Sequence, residues 1–188
     1  MNPADSLQEK LDAGKIVIID GGTGTEISRR GVTLETGRSW SANANIAFPD
    51  LVRDIHRDYI LAGAELITTN TFSTSRDILQ REGLSEQTDH INKQSVTLAM
   101  DARKRYAAEE TITVAGSIGA ANTGTPEIIH SEALANYREQ VQILAEAGVE
   151  LIILEMFTRT ADLKAAIEAA TAVSYTHLRA HETDSYLV

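Results

Sequence analysis

The sequence predicts an α/β fold in which short buried strands alternate with amphipathic helices. Two observations carry that prediction. Four apolar runs, each closed by a polar residue, recur along the chain, and a helical pattern follows each of them. Runs this short, rich in Ile and Val and apolar on both faces, read as parallel strands covered from both sides. Regular strand–helix alternation implies a parallel sheet with right-handed crossovers.

In chain order, Ser6 and Glu9 form a capping-box pattern before a short leading helix. Ile16-Val17-Ile18-Ile19 is the first strand and closes at Asp20. The first main helix opens at Pro49, a favoured first helical residue, and stops at Gly63, with Leu51, Val52, Ile55 and Tyr59 on one face. Leu66-Ile67-Thr68-Thr69 follows and closes at Asn70. A helix from about Ser85 to Ala107 turns Ile91, Leu98, Ala102 and Tyr106 inward. Thr113-Val114-Ala115-Gly116 closes at Ser117, and a helix after Ser131 carries Leu134, Tyr137, Val141 and Leu144 as far as Gly148. Leu151-Ile152-Ile153-Leu154 closes at Glu155, and a last helix from Thr160 carries Leu163 and Ile167.

The chain also repeats itself. AGAELITTNTF (62–72) aligns without gaps to AGVELIILEMF (147–157), with six of eleven positions identical and Asn70 set against Glu155. The offset of 85 residues (147 − 62) is two strand–helix units. A doubly wound sheet usually shows a Gly-rich phosphate turn after its first strand. A barrel places polar residues at the C-terminal end of every strand and needs roughly 250 residues. The expectation is therefore the N-terminal half of a (β/α)8 TIM barrel, about four strand–helix units, over residues 1–172.

Composition narrows the function. A net charge of −10 disfavours nucleic-acid binding, because an acidic surface repels phosphate. No run is long enough to cross a bilayer, and the first fifteen residues hold no apolar signal segment, so a cytoplasmic location without membrane contact is expected. With no cysteine there is neither a disulfide nor a thiolate metal site within the chain. Residues 173–188 break the repeat pattern. They resemble the translation of a transposase adapter used in sequencing libraries, and are expected to be a non-native tail. For that reason His177 and His181, at i, i+4 spacing, are not taken as metal ligands.

Asp20-Gly21-Gly22-Thr23-Gly24-Thr25-Glu26 follows the first strand directly. Its glycines allow a tight turn with N–H groups open to an anion, and Asp20 can pair with a cation, which suits a zwitterion such as an amino acid. A turn that simply needs glycine is the alternative. No Gly-Lys-Ser/Thr follows, so it is not a phosphate loop, and the full dinucleotide fingerprint is absent. Glu155, after four apolar residues, must be paired or bind something. Asn70, with Thr68, Thr69 and Thr71, can add neutral hydrogen bonds. Ser117 has no activating partner in sequence, His56 reads as a surface or helix-packing histidine, and Trp40 either covers the site or packs on the fold.

Several of these stretches together resemble the homocysteine S-methyltransferase family: Asp20 to Glu26, Trp40-Ser41-Ala42, Pro49-Asp50-Leu51-Val52, Ile55-His56-Arg57-Asp58-Tyr59, Ala62-Gly63-Ala64, Thr68-Thr69-Asn70-Thr71-Phe72, Val114 to Gly119 and Leu154-Glu155-Met156. They run in register over about residues 5–172. The resemblance implies a barrel enzyme that moves a methyl group to the sulfur of homocysteine, giving methionine, with zinc held by three cysteines in the second half of the barrel. Zinc coordination deprotonates a thiol, whose free pKa is about 8.5. By position, Asp20 and Glu155 would bind the homocysteine ammonium, Gly21 and Gly22 would let the backbone approach, and Thr69, Asn70 and Phe72 would line the pocket. The zinc ligands would lie beyond Ala172, so the resemblance describes an intact product and implies that this stretch alone is inactive. The methyl donor stays open among S-methylmethionine, S-adenosylmethionine, betaine and methylfolate through cobalamin. Two other readings stand beside it: a non-catalytic half-barrel that binds an amino acid or a partner, and an aldolase-like lyase. The lyase would need a Schiff-base lysine, and none sits at the four strand ends.

Overall fold

The leading helix, α1 (Pro3–Asp12), begins at a proline, whose fixed φ suits the first helical position. Ser6 and Glu9 therefore lie inside the helix, and the predicted capping box is not its start. This computed structural model describes residues 3–32, 41–107, 112–120, 129–174 and 179–180.

The first predicted strand departs most from expectation. Ile16–Ile19 makes a single parallel bridge, Ile19 to Leu66, and Ile16, Ile18 and Ile19 are 89%, 55% and 61% exposed rather than buried. The segment still runs beside its neighbour: Glu65 N–H donates to Ile18 O at 2.7 Å and Asp20 N–H to Leu66 O at 3.0 Å. It pairs on one side only. Among the described residues no strand lies on its other side, so neither a regular ladder nor burial on both faces is reached.

Two short helices, α2 (Thr23–Arg29) and α3 (Ala44–Ala47), fall in the connection that follows, and Trp40 lies outside the described residues. The predicted seven-residue glycine turn is thus a two-residue turn, Gly21–Gly22, running into α2. Helix α4 (Pro49–Leu61) buries Val52, Ile55, His56 and Ile60. Strand β1 (Leu66–Thr68) leads through α5 (Arg76–Gln80) and a 3-10 turn (Ser85–Gln87) into α6 (Thr88–Tyr106). Ile91, Leu98 and Ala102 are buried as predicted. Tyr106 is not: at the last residue of α6 it is 42% exposed, its ring 6.0 Å from the Arg57 guanidinium. Strand β2 (Thr113–Gly119) runs three residues further than predicted and is buried throughout. Helix α7 (Ile129–Ala147), strand β3 (Leu151–Glu155) and helix α8 (Thr160–Ser174) follow. In α8 the fully covered face is Ala165, Ala166, Ala169 and Ala170, while Leu163 and Ile167 are half-buried beside it. The helix continues two residues past Ala172. Arg179–Ala180 forms a short strand, β4, in parallel register with Leu151 and Ile152. His177 and His181 lie outside the described residues.

All pairings are parallel and the spatial order, β1-β2-β3-β4, is the chain order. Register assigns the faces. Ile67, Val114, Ile118 and Ile152 share one face and pack under α4, α6, α7 and α8, with Tyr137 fully buried among them. Leu66, Ala115 and Leu151 share the other, against Leu7 of α1. The chain is therefore an α/β structure whose helices cover one sheet face while α1 covers the start of the other.

The internal repeat has a structural meaning. Gly63 and Gly148 end α4 and α7 at φ +101° and +99°, and the next residues donate back to Tyr59 O and Leu144 O, the Schellman closure that glycine allows. Glu65 and Glu150 then each reach across to the preceding strand. Glu65 Oε2 accepts Ile18 N–H at 3.2 Å, and Glu150 Oε2 accepts Val114 N–H at 2.9 Å. Each is tied to a cation, Lys10 at 2.5 Å and Arg103 at 2.7 Å respectively. The shared residues of the repeat thus stop a helix and fix the register of the strand that follows.

Candidate functional site at the strand ends

Asp20 leaves the first segment where β1 approaches its last residue. Its Oδ2 accepts Thr68 N–H at 2.8 Å, and Thr68 Oγ1 donates to Oδ1 at 3.1 Å. These bonds favour the carboxylate, but burial outweighs them, and the negative charge of Glu155 adds to burial. Together they push the Asp20 pKa up to about 7. Asp20 is thus half-ionised near neutrality and electrically coupled to a second acid from β3.

Glu155 ends β3 in register with Gly119, half-buried, with no hydrogen bond or ion pair for its carboxylate among the described residues. The next residue, Met156, holds φ 58°, a left-handed conformation uncommon for a residue with a Cβ. Phe72 lies beside this end. Its carbonyl accepts Gly119 N–H at 3.1 Å, and its backbone and ring together crowd Gly119, so that a Cβ there would fall 2.6 Å from Phe72 O and 2.8 Å from the ring carbon Cε2. Gly21 is equally confined, because a Cβ on it would fall 2.8 Å from Tyr59 Oη. Gly22 precedes α2 in extended conformation.

Thr69 and Asn70 face the scaffold. The Thr69 hydroxyl meets that of Thr71 at 2.7 Å, and Thr71 donates on to Ser117 O. Asn70 donates to Ser41 O and Asn45 Oδ1, accepts from Ser41 Oγ, and takes Asn45 Nδ2 on its carbonyl, all between 2.9 and 3.0 Å. Its amide is fully engaged in clamping residues 41–45 beneath the strand end. Thr74, Asn92 and Gln140 extend this buried polar network to α6 and α7. Ser117 is buried, its hydroxyl without a partner among the described residues, and His56 is fully buried on α4, held neutral by a pKa lowered to about 4. Of the predicted residues, then, Asp20, Gly21, Phe72 and Glu155 sit at the strand ends, Gly22 leads into α2, and Thr69 and Asn70 build the support below. Sequence reasoning missed Thr68 as the group holding Asp20, although the alternation with Leu66 signals it. It also missed Tyr59 as the neighbour of Gly21, for which no local signal exists.

Two acids held at the C-terminal ends of parallel strands, beside glycine turns, define a site suited to a small cationic or zwitterionic ligand. The chain belongs to the homocysteine S-methyltransferase family, whose model matches residues 17–183. It is 31% identical over 186 residues to a homocysteine S-methyltransferase of Escherichia coli, covering 92% of this chain and 60% of that protein. It is 32% identical over 174 residues to a selenocysteine methyltransferase of Astragalus bisulcatus, covering 76% of this chain and 51% of that one. Among solved structures, the metallated and oxidized forms of the Escherichia coli homocysteine methyltransferase MmuM superpose with TM-scores of 0.78 and 0.80 at 30% and 31% identity. Those matches cover 95–96% of this chain and 64–65% of MmuM. The chain thus spans about 60% of the length of the first of these relatives. Among the described residues no helix is long and apolar enough to cross a membrane.

Proposed function

We propose that residues up to about 172 form the N-terminal half of a (β/α)8 barrel, and that its strand ends bind the amino-acid end of homocysteine so that its sulfur can take a methyl group, giving methionine. Sequential parallel strand order and the internal repeat of two strand–helix units support the barrel. One observation carries the ligand: Asp20 and Glu155, from strand ends that are not neighbours, couple electrostatically while Glu155 has no cation of its own among the described residues. An ammonium group between them neutralises both and draws Asp20 to its ionised form. Gly21 and Gly22 leave the backbone open to the carboxylate end, and Phe72 offers an apolar wall to the methylene chain. In the transfer, the S–CH3 bond forms as the donor's bond to methyl breaks, and the thiol proton leaves.

The zinc that the resemblance implies does not fit the residues present. The chain has no cysteine, and among the described residues no group of three or more His, Cys, Asp or Glu could hold a metal ion. The role derived for this chain is therefore binding and orientation. The test is calorimetric titration with L-homocysteine and with its des-amino analogue. The proposal expects binding of the amino acid and at least about ten-fold weaker binding of the analogue, the worth of one charge-assisted hydrogen bond. Equal affinity for both contradicts it.

A second reading rests on the exposed isoleucines of Ile16–Ile19. A bare apolar edge favours self-pairing, so a half-barrel acting only as a binding module is expected to self-associate. Sedimentation as a monomer with a cooperative melt would count against it.

A further inference from the structure

We infer that Tyr59 is a positioning residue for Asp20, acting through the Gly21 backbone. This rests on the reading of Asp20 as the ammonium-binding acid. Tyr59 projects from α4, three residues past the buried His56, and is half-buried between the two apolar clusters on either side of that helix. Its ring edge is pressed onto Gly21. A Cβ built there would meet Oη at 2.8 Å and Cε1 and Cζ at 3.2 Å, distances at which something must shift. Gly21 follows Asp20 directly, so the phenol fixes the turn at the point where the carboxylate leaves the strand. Thr68 holds the carboxylate from the β1 side, and Tyr59 bounds the turn beside it from the α4 side. Asp20 and Glu26 both lie close enough for their charges to bear on the phenol. Among the described residues the Tyr59 hydroxyl makes no hydrogen bond, so contact rather than bonding carries the effect.

This arrangement makes a prediction that a merely structural tyrosine would not. The Asp20 carboxyl can be followed by carbon-detected NMR during a pH titration of the ligand-free, full 188-residue chain. In Tyr59→Ala, water reaches the carboxylate, and its midpoint is expected to fall by at least about one unit toward the ordinary Asp value. Tyr59→Phe keeps the ring and is expected to move it by less than half as much. Gly21→Ala, which drives a methyl group into the hydroxyl, is expected to disturb both stability and the Asp20 midpoint, and adding Tyr59→Phe is expected to recover part of each. An unchanged Asp20 midpoint in Tyr59→Ala, or Gly21→Ala and Tyr59→Phe effects that simply add, would overturn the inference. If Tyr59→Ala does not fold, the Gly21→Ala and Tyr59→Phe pair decides alone. Homocysteine binding to Asp20→Asn separates the two levels. Unchanged binding there refutes Asp20 as the ammonium site, while the titration result stands or falls on Tyr59.

Discussion

The two copies of the internal repeat, 62–72 and 147–157, are the same at the bottom of their strands and different at the top. Both stop a helix with a left-handed glycine, and both send a glutamate sideways to the preceding strand. At the ninth position one copy has Asn70, every polar atom of its amide bonded to Ser41 and Asn45, and the other has Glu155, with a carboxylate unpaired among the described residues. The lower half of the unit is built for stability and the strand end is free for chemistry, the division that parallel α/β folds show in general.

The copies differ even where they look alike, and the largest expected effect lies there. Arg103 and Glu150 are 11% and 14% exposed, whereas Lys10 and Glu65 are 33% and 30% exposed. Removing one member of the more buried pair strands its partner. Glu150→Ala is expected to cost about 3 kcal/mol in urea unfolding and Glu65→Ala about 1 kcal/mol. Equal losses would mean that burial does not separate the copies. At the strand ends the order reverses according to role. Asn70→Ala leaves three buried groups unbonded and is expected to cost about 2 kcal/mol. Glu155→Gln is expected to change stability by less than about 0.5 kcal/mol while weakening homocysteine binding at least about ten-fold. Gly63→Ala and Gly148→Ala should match each other at about 1 kcal/mol, since each puts a Cβ at the same left-handed φ.

A last effect, of about the size of the glycine substitutions, concerns pH. The folded-state pKa of Asp20, about 7, is raised above its ordinary value of 3.8. Its contribution to stability is therefore full below about pH 4 and is lost as pH rises through 7, because the unfolded chain releases the proton more readily. Asp20→Asn should flatten this slope and leave the ligand-free chain about 1 kcal/mol more stable than the parent at pH 8, after allowance for solvent at a half-buried group. Thermal melts at pH 5 and pH 8 check the sign.

Much of this was legible from residues alone. The helix start read from Pro49, the helix stops read from Gly63 and Gly148, and strands read from runs such as Leu151–Leu154 are local signals, and the structure keeps them. What the sequence hid was non-local. Ile16–Ile19 has the composition of a buried strand, but burial depends on a neighbour, and on its outer side none is described. Thr23–Arg29 is helical although threonines and a glycine open it, because Ile27 is buried against α4. Asn70 and Glu155 align as equivalents, and only the fold of residues 41–45 under one of them shows that they are not. The glutamates at 65 and 150 were visible as identities but not as cross-strand ties, which need the register of the neighbouring strand.

The central claim is that Asp20 and Glu155 together hold an ammonium group. The most direct test is homocysteine affinity by calorimetry between pH 6 and pH 8, in the parent chain and in Asp20→Asn. As Asp20 ionises through about pH 7, affinity in the parent chain is predicted to rise about ten-fold across that range, while the free amino acid keeps its ammonium group. In Asp20→Asn the affinity should be weak and flat. Parent binding that does not change with pH, or a variant that follows the same curve, would contradict the account.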